Sequence, residues 1–369
     1  MEARRTRIDP VLASIIGLLV ILGCLIFASA AFGLLARGTT GMTSIIFNHV
    51  VLGVGLGLVL MLITMHIDYR RWKPLAPYLF GAAIVMTALV FVPHVGAMYG
   101  GGRRWIVIAH ASLQPSEGLK ITGVMMAAAY FSAIRKKIAT LTYGLGGLAA
   151  ILAAPAILLI LQPDLGTLGV VVIGVCSVFF AAGARFRDAL IFLLVGILCL
   201  GVLVVVKPYV RDRVMTFFHP AQGQQAEGYQ IKQSLIAVGS GGLFGRGIGQ
   251  GIQKFTYLPE AMGDSIFAVA GEELGFAGSV VLILLFLALA LRGFSMSARA
   301  PDAFGALLGI GIASYLASEA FINIASMTGL APLTGIPLTF VSQGGSAMLV
   351  SLASAGILLN VSRSRRTAS

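Results

Sequence analysis

The stretch Val11-Leu-Ala-Ser-Ile-Ile-Gly-Leu-Leu-Val-Ile-Leu-Gly-Cys-Leu-Ile-Phe-Ala-Ser-Ala-Ala-Phe-Gly-Leu-Leu35 contains no charged side chain. A helix rising 1.5 Å per residue over it is long enough to cross the roughly 30 Å hydrocarbon core of a bilayer. Similar runs recur along the chain, and they predict ten spans, near 11–35, 46–66, 77–96, 115–134, 143–162, 165–184, 188–207, 265–291, 303–323 and 341–361. The composition agrees: of 369 residues 58% are hydrophobic and 11% charged, against about 25% charged in ordinary soluble domains. The expected fold is an all-α polytopic membrane bundle forming a single integral domain over 1–369, with one large loop, 208–264, between helices seven and eight.

The net charge of +12 invites a nucleic-acid reading, but the placement of the charges excludes it. Sixteen Lys and Arg residues fall on one side of the expected spans: Arg4, Arg5, Arg7, Arg70, Arg71, Lys73, Arg135, Lys136, Lys137, Arg185, Arg187, Arg292, Arg299, Arg363, Arg365 and Arg366. Short loops on the other side hold only Arg37, Arg103 and Arg104. By the positive-inside rule both termini are expected in the cytoplasm and the 208–264 loop outside. The first apolar run is too long for the core of a cleavable signal and reads as a retained helix. Cys24, Cys176 and Cys199 all lie within spans and suit neither zinc nor a disulfide framework. The five histidines form no HExxH pair, so no protein-built metal site is expected.

Within the loop, 209–218 has the spacing of a short interfacial helix, and Tyr229 to Val238 reads as a second helical run. The glycine-rich turn Gly239–Gly251 lacks the spacing of a nucleotide-binding loop. It is expected to pack tightly as a re-entrant turn, with diphosphate binding through its amides as the alternative.

Ionisable residues inside apolar spans are functional candidates by default. They are Glu117, Lys120, Asp164, Asp264, Glu272, Glu273 and Glu319. With Arg103 and Arg104, most fall near one leaflet, whereas a transport path needs polar groups spread through the bilayer. Each also has a structural reading. Glu117 and Lys120, at i and i+3, can neutralise each other. Arg103 and Arg104 before Trp105 resemble an interfacial anchor. Asp164 and Asp264 can cap the helices they precede. The neighbours Glu272 and Glu273 cannot share one helix face, so at least one is expected to bond within the bundle.

Several segments, taken in order, are similar to the SEDS family of membrane polymerases typified by FtsW, RodA and SpoVE. They are Gly102-Arg-Arg-Trp-Ile106, Gln114-Pro-Ser-Glu117 with Lys120, Gln162-Pro-Asp-Leu-Gly-Thr167, Gly228-Tyr-Gln230, Gln253-Lys-Phe-Thr-Tyr-Leu-Pro-Glu-Ala261, Gly271-Glu-Glu-Leu-Gly275, Gly329-Leu-Ala-Pro-Leu-Thr-Gly-Ile-Pro337 and Ser342-Gln-Gly-Gly-Ser346. The resemblance covers nearly the whole chain. The 253–261 string, the paired arginines and the ending Ile357–Arg363 look more like FtsW than RodA. Two departures stand out: Met262-Gly263-Asp264-Ser265 replaces the family's usual surroundings of its aspartate, and Gln343 and Thr339 stand where tyrosine and proline are usual.

The resemblance implies a peptidoglycan glycosyltransferase that polymerises lipid II at the outer face of the bacterial cytoplasmic membrane, serving the division septum. A RodA-like elongation role and a lipid II flippase are the alternatives, and a non-catalytic division scaffold is a third. It implies Asp264 as the essential aspartate and Glu117 and Lys120 as the polar pair lining the same cavity. The candidate substrate-binding set is Arg103, Arg104, Glu117, Lys120, Asp164, Arg246, Lys254, Ser342, Gly344 and Gly345. Of these, Arg103, Arg104, Lys120 and Arg246 are the cations expected to meet a departing diphosphate, with a divalent cation (Mg or Mn) bridging to it as a further expectation. Implied partners are lipid II, a single-pass class B penicillin-binding protein and other divisome membrane proteins; nucleic acid is not among them.

Overall fold

The computed structural model of the chain describes residues 8–36, 42–99, 102–108, 111–218 and 226–363. Arg4, Arg5, Arg7, Arg37, Arg365 and Arg366 therefore lie outside the described residues. The chain begins with α1 (Pro10–Ala36), then a second span built of α2 (Met42–Ile46), a π-helical segment (Phe47–Leu56) and α3 (Gly57–His66). It continues with α4 (Trp72–Leu89), strands β1 (Gly96–Tyr99), β2 (Gly102–Ile108) and β3 (Ala111–Leu113), then α5 (Ser116–Ala133), α6 (Gly146–Leu161), α7 (Leu165–Ala181) and α8 (Phe186–Val206). After the shorter α9 (Pro208–Phe218), α10 (Ala226–Ser240) and α11 (Gln253–Thr256) come α12 (Ile266–Ala298), α13 (Ala303–Met327) and α14 (Gly345–Arg363). Eight spans among the described residues are long and apolar enough to cross a membrane. The shorter α7 and α5, which opens on Glu117 and Lys120, complete the ten expected. The interfacial helix and the following helical run appear as α9 and α10.

One expectation needs correcting. The third span was placed at 77–96, but the helix covers Tyr69–Leu89 and the chain then folds into a three-stranded antiparallel sheet in the order β1-β2-β3. Pro93 cannot continue the helix hydrogen-bond ladder, and Arg103–Ile108 is rich in the aromatic and β-branched residues that favour strands. An apolar run that ends in a strand looks, by hydropathy alone, like the end of a helix.

Contacts define two ends. At one, Arg104 Nε donates to Gln162 O at 2.9 Å, Asn323 Nδ2 to Asp264 O at 2.8 Å and Ser342 Oγ to Gly263 O at 2.7 Å. At the other, the Arg292 guanidinium takes both oxygens of Asp9 at 3.0 and 2.7 Å. There too Asp302 caps α13 through Gly305 N and accepts from the Tyr69 hydroxyl and Arg70. Between the ends, α13 is the central post, packed against α5, α7, α12 and α14. In contrast α8 packs mainly on α9, and none of its most apolar window is buried. A helix apolar on every face that buries so little of itself against the bundle is a lipid-facing one.

The long α12 is broken. Gly275 sits at φ 68°, ψ −166°, inside what is otherwise one helix of 33 residues. The glycine-rich turn after α10 fits into this break: Arg246 N donates to Glu272 O at 3.0 Å and Gly247 N to Glu273 O at 3.1 Å. In return Phe276 N donates to Gly242 O at 2.8 Å and Ala277 N to Leu243 O at 3.0 Å. The groups freed by the break are thus paired, as irregular backbone within a membrane protein requires. Gly245, at φ 80°, makes the approach possible, because a Cβ there would stand 2.0 Å from Glu273 O.

A Gly245→Ala variant should therefore lose more than the about 1–3 kcal/mol of ordinary backbone strain. Gly169→Ala, in α7 with nothing within 4 Å of the added methyl, should match or exceed wild type. Thermal unfolding of the two variants in detergent checks this; equal melting temperatures would contradict the role given to the turn.

Candidate functional site

Asp264 precedes α12, and the N-cap of that helix is Ser265, which makes no side-chain capping bond. The Asp264 carboxylate takes the backbone amides of Asp264 and Ser265 but does not reach the first turn of α12 beyond them. Its Oδ1 also accepts from Gln230 Nε2 of α10 at 2.9 Å, and the same amide reaches Ser265 Oγ at 2.9 Å. The backbone around it is held from two sides. Asn323 of α13 donates to Asp264 O and, at 2.7 Å, to Ile336 O. From the non-helical 328–344 connection, Ser342 Oγ donates to Gly263 O, Leu338 N donates to Ser342 Oγ at 2.7 Å, and Gln343 N donates to Met262 O at 2.7 Å. The carboxyl is half-buried. Burial first, and the neighbouring Glu260 carboxylate second, push it up to about 6, against the opposing pull of the Gln230 hydrogen bond. A carboxylate tuned toward neutrality is suited to take a proton at physiological pH.

A second cluster is fully buried. Lys120 Nζ lies 2.6 Å from Glu117 Oε2 on its own helix and 2.6 Å from Glu319 Oε1 on α13. Glu319 and Asn323 stand four residues apart on α13, on one face, so the helix that holds the Asp264 backbone also carries a partner of Lys120. Glu117 and Lys120 were expected together, and the structure adds Glu319 to them.

Other candidates lie in structural roles. Asp164 caps α7, its Oδ1 accepting from Thr167 N at 3.2 Å while Oδ2 accepts from Gln114 at 3.1 Å. Arg104 clamps the turn before it through Gln162 O and Pro163 O. Arg103 is exposed on β2 opposite Met98. Lys254 is buried, 2.5 Å from Glu273 Oε1 and 2.8 Å from Ser29 Oγ, so its charge is spent joining α11 to α12 and α1. Glu272 accepts from Ile252 N at 2.8 Å and Gln253 N at 3.1 Å, and Arg246, itself 37% exposed, stands 3.7 Å from it. Both adjacent glutamates therefore bond within the bundle. The glycine-rich turn packs on α12, as the tight-packing reading expected. Gly344 O accepts from Met348 N in the first turn of α14, and Gly345 lies against the Asn48 backbone. Of the two departures, Thr339 Oγ1 donates to Leu316 O at 3.1 Å, and Gln343 contributes its backbone amide.

Sequence reasoning missed three neighbours of Asp264: Gln230, Glu260 and Asn323. All three occur in or near quoted segments, and the i, i+4 spacing of Glu319 and Asn323 was a readable sign of a shared face.

The family described as cell cycle protein, that of FtsW, RodA and SpoVE, matches residues 10–367. Stage V sporulation protein E of Bacillus subtilis (strain 168) is 38% identical over 367 residues, covering 99% of this chain and 100% of that protein. A "probable peptidoglycan glycosyltransferase FtsW" of Geobacter sp. (strain M18) is 40% identical, covering 85% of each. Among solved structures, a chain of a peptidoglycan synthase complex that coordinates polymerization and crosslinking aligns with TM-score 0.79 at 29% identity, over 96% of this chain and 98% of that one. The rod shape determining protein RodA of Thermus thermophilus aligns with TM-score 0.69 at 28% identity, over 98% of each.

Two outcomes follow from the geometry. Lys254→Met should cost about 3–5 kcal/mol, because it strands a buried carboxylate. Adding Glu273→Gln should recover part of the loss in a double-mutant cycle on thermal unfolding. For Asp264, the native carboxyl is raised from 3.8 to about 6. The stability this contributes is present below 3.8 and is lost as pH rises through about 6. Asp264→Asn should therefore melt above wild type at pH 7.5, with the gap closing by about pH 4; a gap independent of pH would show that the carboxyl is not strained.

Proposed function

The chain belongs to the FtsW, RodA and SpoVE family of cell cycle proteins, and on that footing we propose that it is a peptidoglycan glycosyltransferase polymerising lipid II. The observation that carries the reading is Asp264: a half-buried carboxylate, raised toward neutrality, that does not cap its helix and is held by α10, α13 and the 328–344 connection. In the proposed reaction Asp264 accepts the proton of the acceptor GlcNAc 4-hydroxyl. The freed oxygen bonds to the anomeric carbon of the donor MurNAc, the bond from that carbon to the diphosphate breaks, and undecaprenyl diphosphate leaves with inversion. Of the expected cations, the exposed Arg103 is the one proposed to meet the charge that develops on the leaving group; Lys120 is buried between Glu117 and Glu319. Among the described residues no group of three or more His, Cys, Asp or Glu could hold a metal ion. These residues do not form a ligand set for the expected divalent cation.

The positive-inside count supports cytoplasmic termini, which puts Asp264 at the outer face. The relative named FtsW at 40% identity supports a division role over elongation. The aligned synthase complex supports a class B penicillin-binding protein as partner, with other divisome membrane proteins beside it. The transporter reading finds little to use. Glu272, Glu273 and Glu319, which would have extended a polar path, are committed to internal bonds. Below Glu319 the buried side chains of α13 toward Asp302 are largely apolar, from Leu316 through Ile312 and Leu308 to Phe304.

Labelled lipid II incubated with the purified protein and its cognate transpeptidase should give a ladder of glycan products on a gel. Asp264→Asn should give none, and the wild-type rate should rise through a midpoint near the Asp264 value of about 6. Absence of product under any partner and metal condition, with headgroup transport intact in liposomes, would overturn the reading in favour of a flippase.

A further inference from the structure

Glu319 has no place in the chemistry described above, yet it is wholly buried and bonded to Lys120 across a helix interface. Lys120 does not need it for neutrality, since Glu117 on the same helix already stands 2.6 Å away. Two acidic side chains crowded onto one ammonium are a costly arrangement in a membrane interior. Its Oε2 finds no hydrogen-bond partner among the described residues, and neither does Oδ1 of Asn323 one turn along the same face. A purely structural contact would be better made by a neutral side chain. What Glu319 does that Glu117 cannot is bind the ammonium to α13, the helix whose Asn323 holds the Asp264 backbone at 2.8 Å.

Resting on the polymerase reading, we propose that Glu319 is a positioning residue: with Asn323 four residues on, it sets the register between α5 and the loop that carries the Asp264 base. Without its charge, Lys120 is drawn wholly onto Glu117, and α5 and α13 are no longer tied at this level. The loop carrying Asp264 is then held by Asn323 alone on that side. Displacements of about 1 Å in reacting groups can cost a hundredfold in rate, so this coupling reaches catalysis without Glu319 touching substrate.

The test compares wild type, Glu319→Gln and Glu319→Asp in the full chain with its cognate transpeptidase, on labelled lipid II. Glu319→Gln should lower kcat about tenfold, with KM within about twofold, because register and not ground-state binding is lost. Its melting temperature should equal or exceed that of wild type, because one of two crowded buried carboxyl groups is gone. Glu319→Asp, which keeps the charge on a shorter stem, should recover part of the kcat. A Glu319→Gln variant that loses kcat and melting temperature together would assign Glu319 a structural role only, and one with wild-type kcat would overturn the proposal outright. Amide hydrogen exchange over 258–266 gives a readout that does not need turnover. It should quicken in Glu319→Gln, and an unchanged rate overturns the inference even if wild type forms no product, an outcome that would separately overturn the polymerase reading.

Discussion

Backbone groups inside a bilayer must find partners within the protein, because the surrounding hydrocarbon offers none. The break of α12 at Gly275 is where this requirement shapes the molecule most. Breaking a long helix frees amides and carbonyls, and here the turn 241–247 supplies their partners, residue by residue, on both sides of the break. That exchange fixes the path of the chain from α10 to α12. It also brings Glu272 to the amino end of α11 and Glu273 to Lys254. The segment that ends on Asp264 starts from this anchored point.

The buried charges then divide by what they join. Lys254 and Glu273, with Ser29, tie α11 and α12 to α1. Asp9 and Arg292 tie the start of α1 to α12 at the far end, where Asp302 gathers Tyr69 and Arg70. The set of Glu117, Lys120 and Glu319 joins α5 to α13. Among the described residues, Asp264 is the half-exposed carboxylate held by a neutral amide with an acidic neighbour beside it. A charge kept out of the ion-pair framework is raised in pKa by burial and by Glu260, and that is the condition a base needs.

Two aspartates that precede helices show how little local sequence says about role. Asp164 and Asp264 both stand just before an apolar run, and both could be caps. Asp164 is one, bonded to Thr167 N. Asp264 is not, because Gln230 comes across from α10 to take its carboxylate, and Ser265 stands between it and the helix.

Membrane embedding, the ten spans, the helices in the large loop and the polar clusters at one end were legible in the sequence, because hydropathy and charge placement are properties of single segments. The sheet at 96–113 was not, since an apolar run leading into a strand has no local mark that separates it from the end of a helix. Nor could the sequence say which charged residues were spent. Arg104, Lys120, Asp164, Arg246 and Lys254 stood equal to Asp264 as candidates, and only the tertiary packing gave the first five structural partners. An ionisable side chain is defined by what lies within a few ångströms of it, and in this chain those neighbours are separated by up to hundreds of residues. Sequence determined that these charges must be bonded or used, because a bilayer tolerates neither stray charge nor stray backbone; tertiary structure decided which of the two each one is.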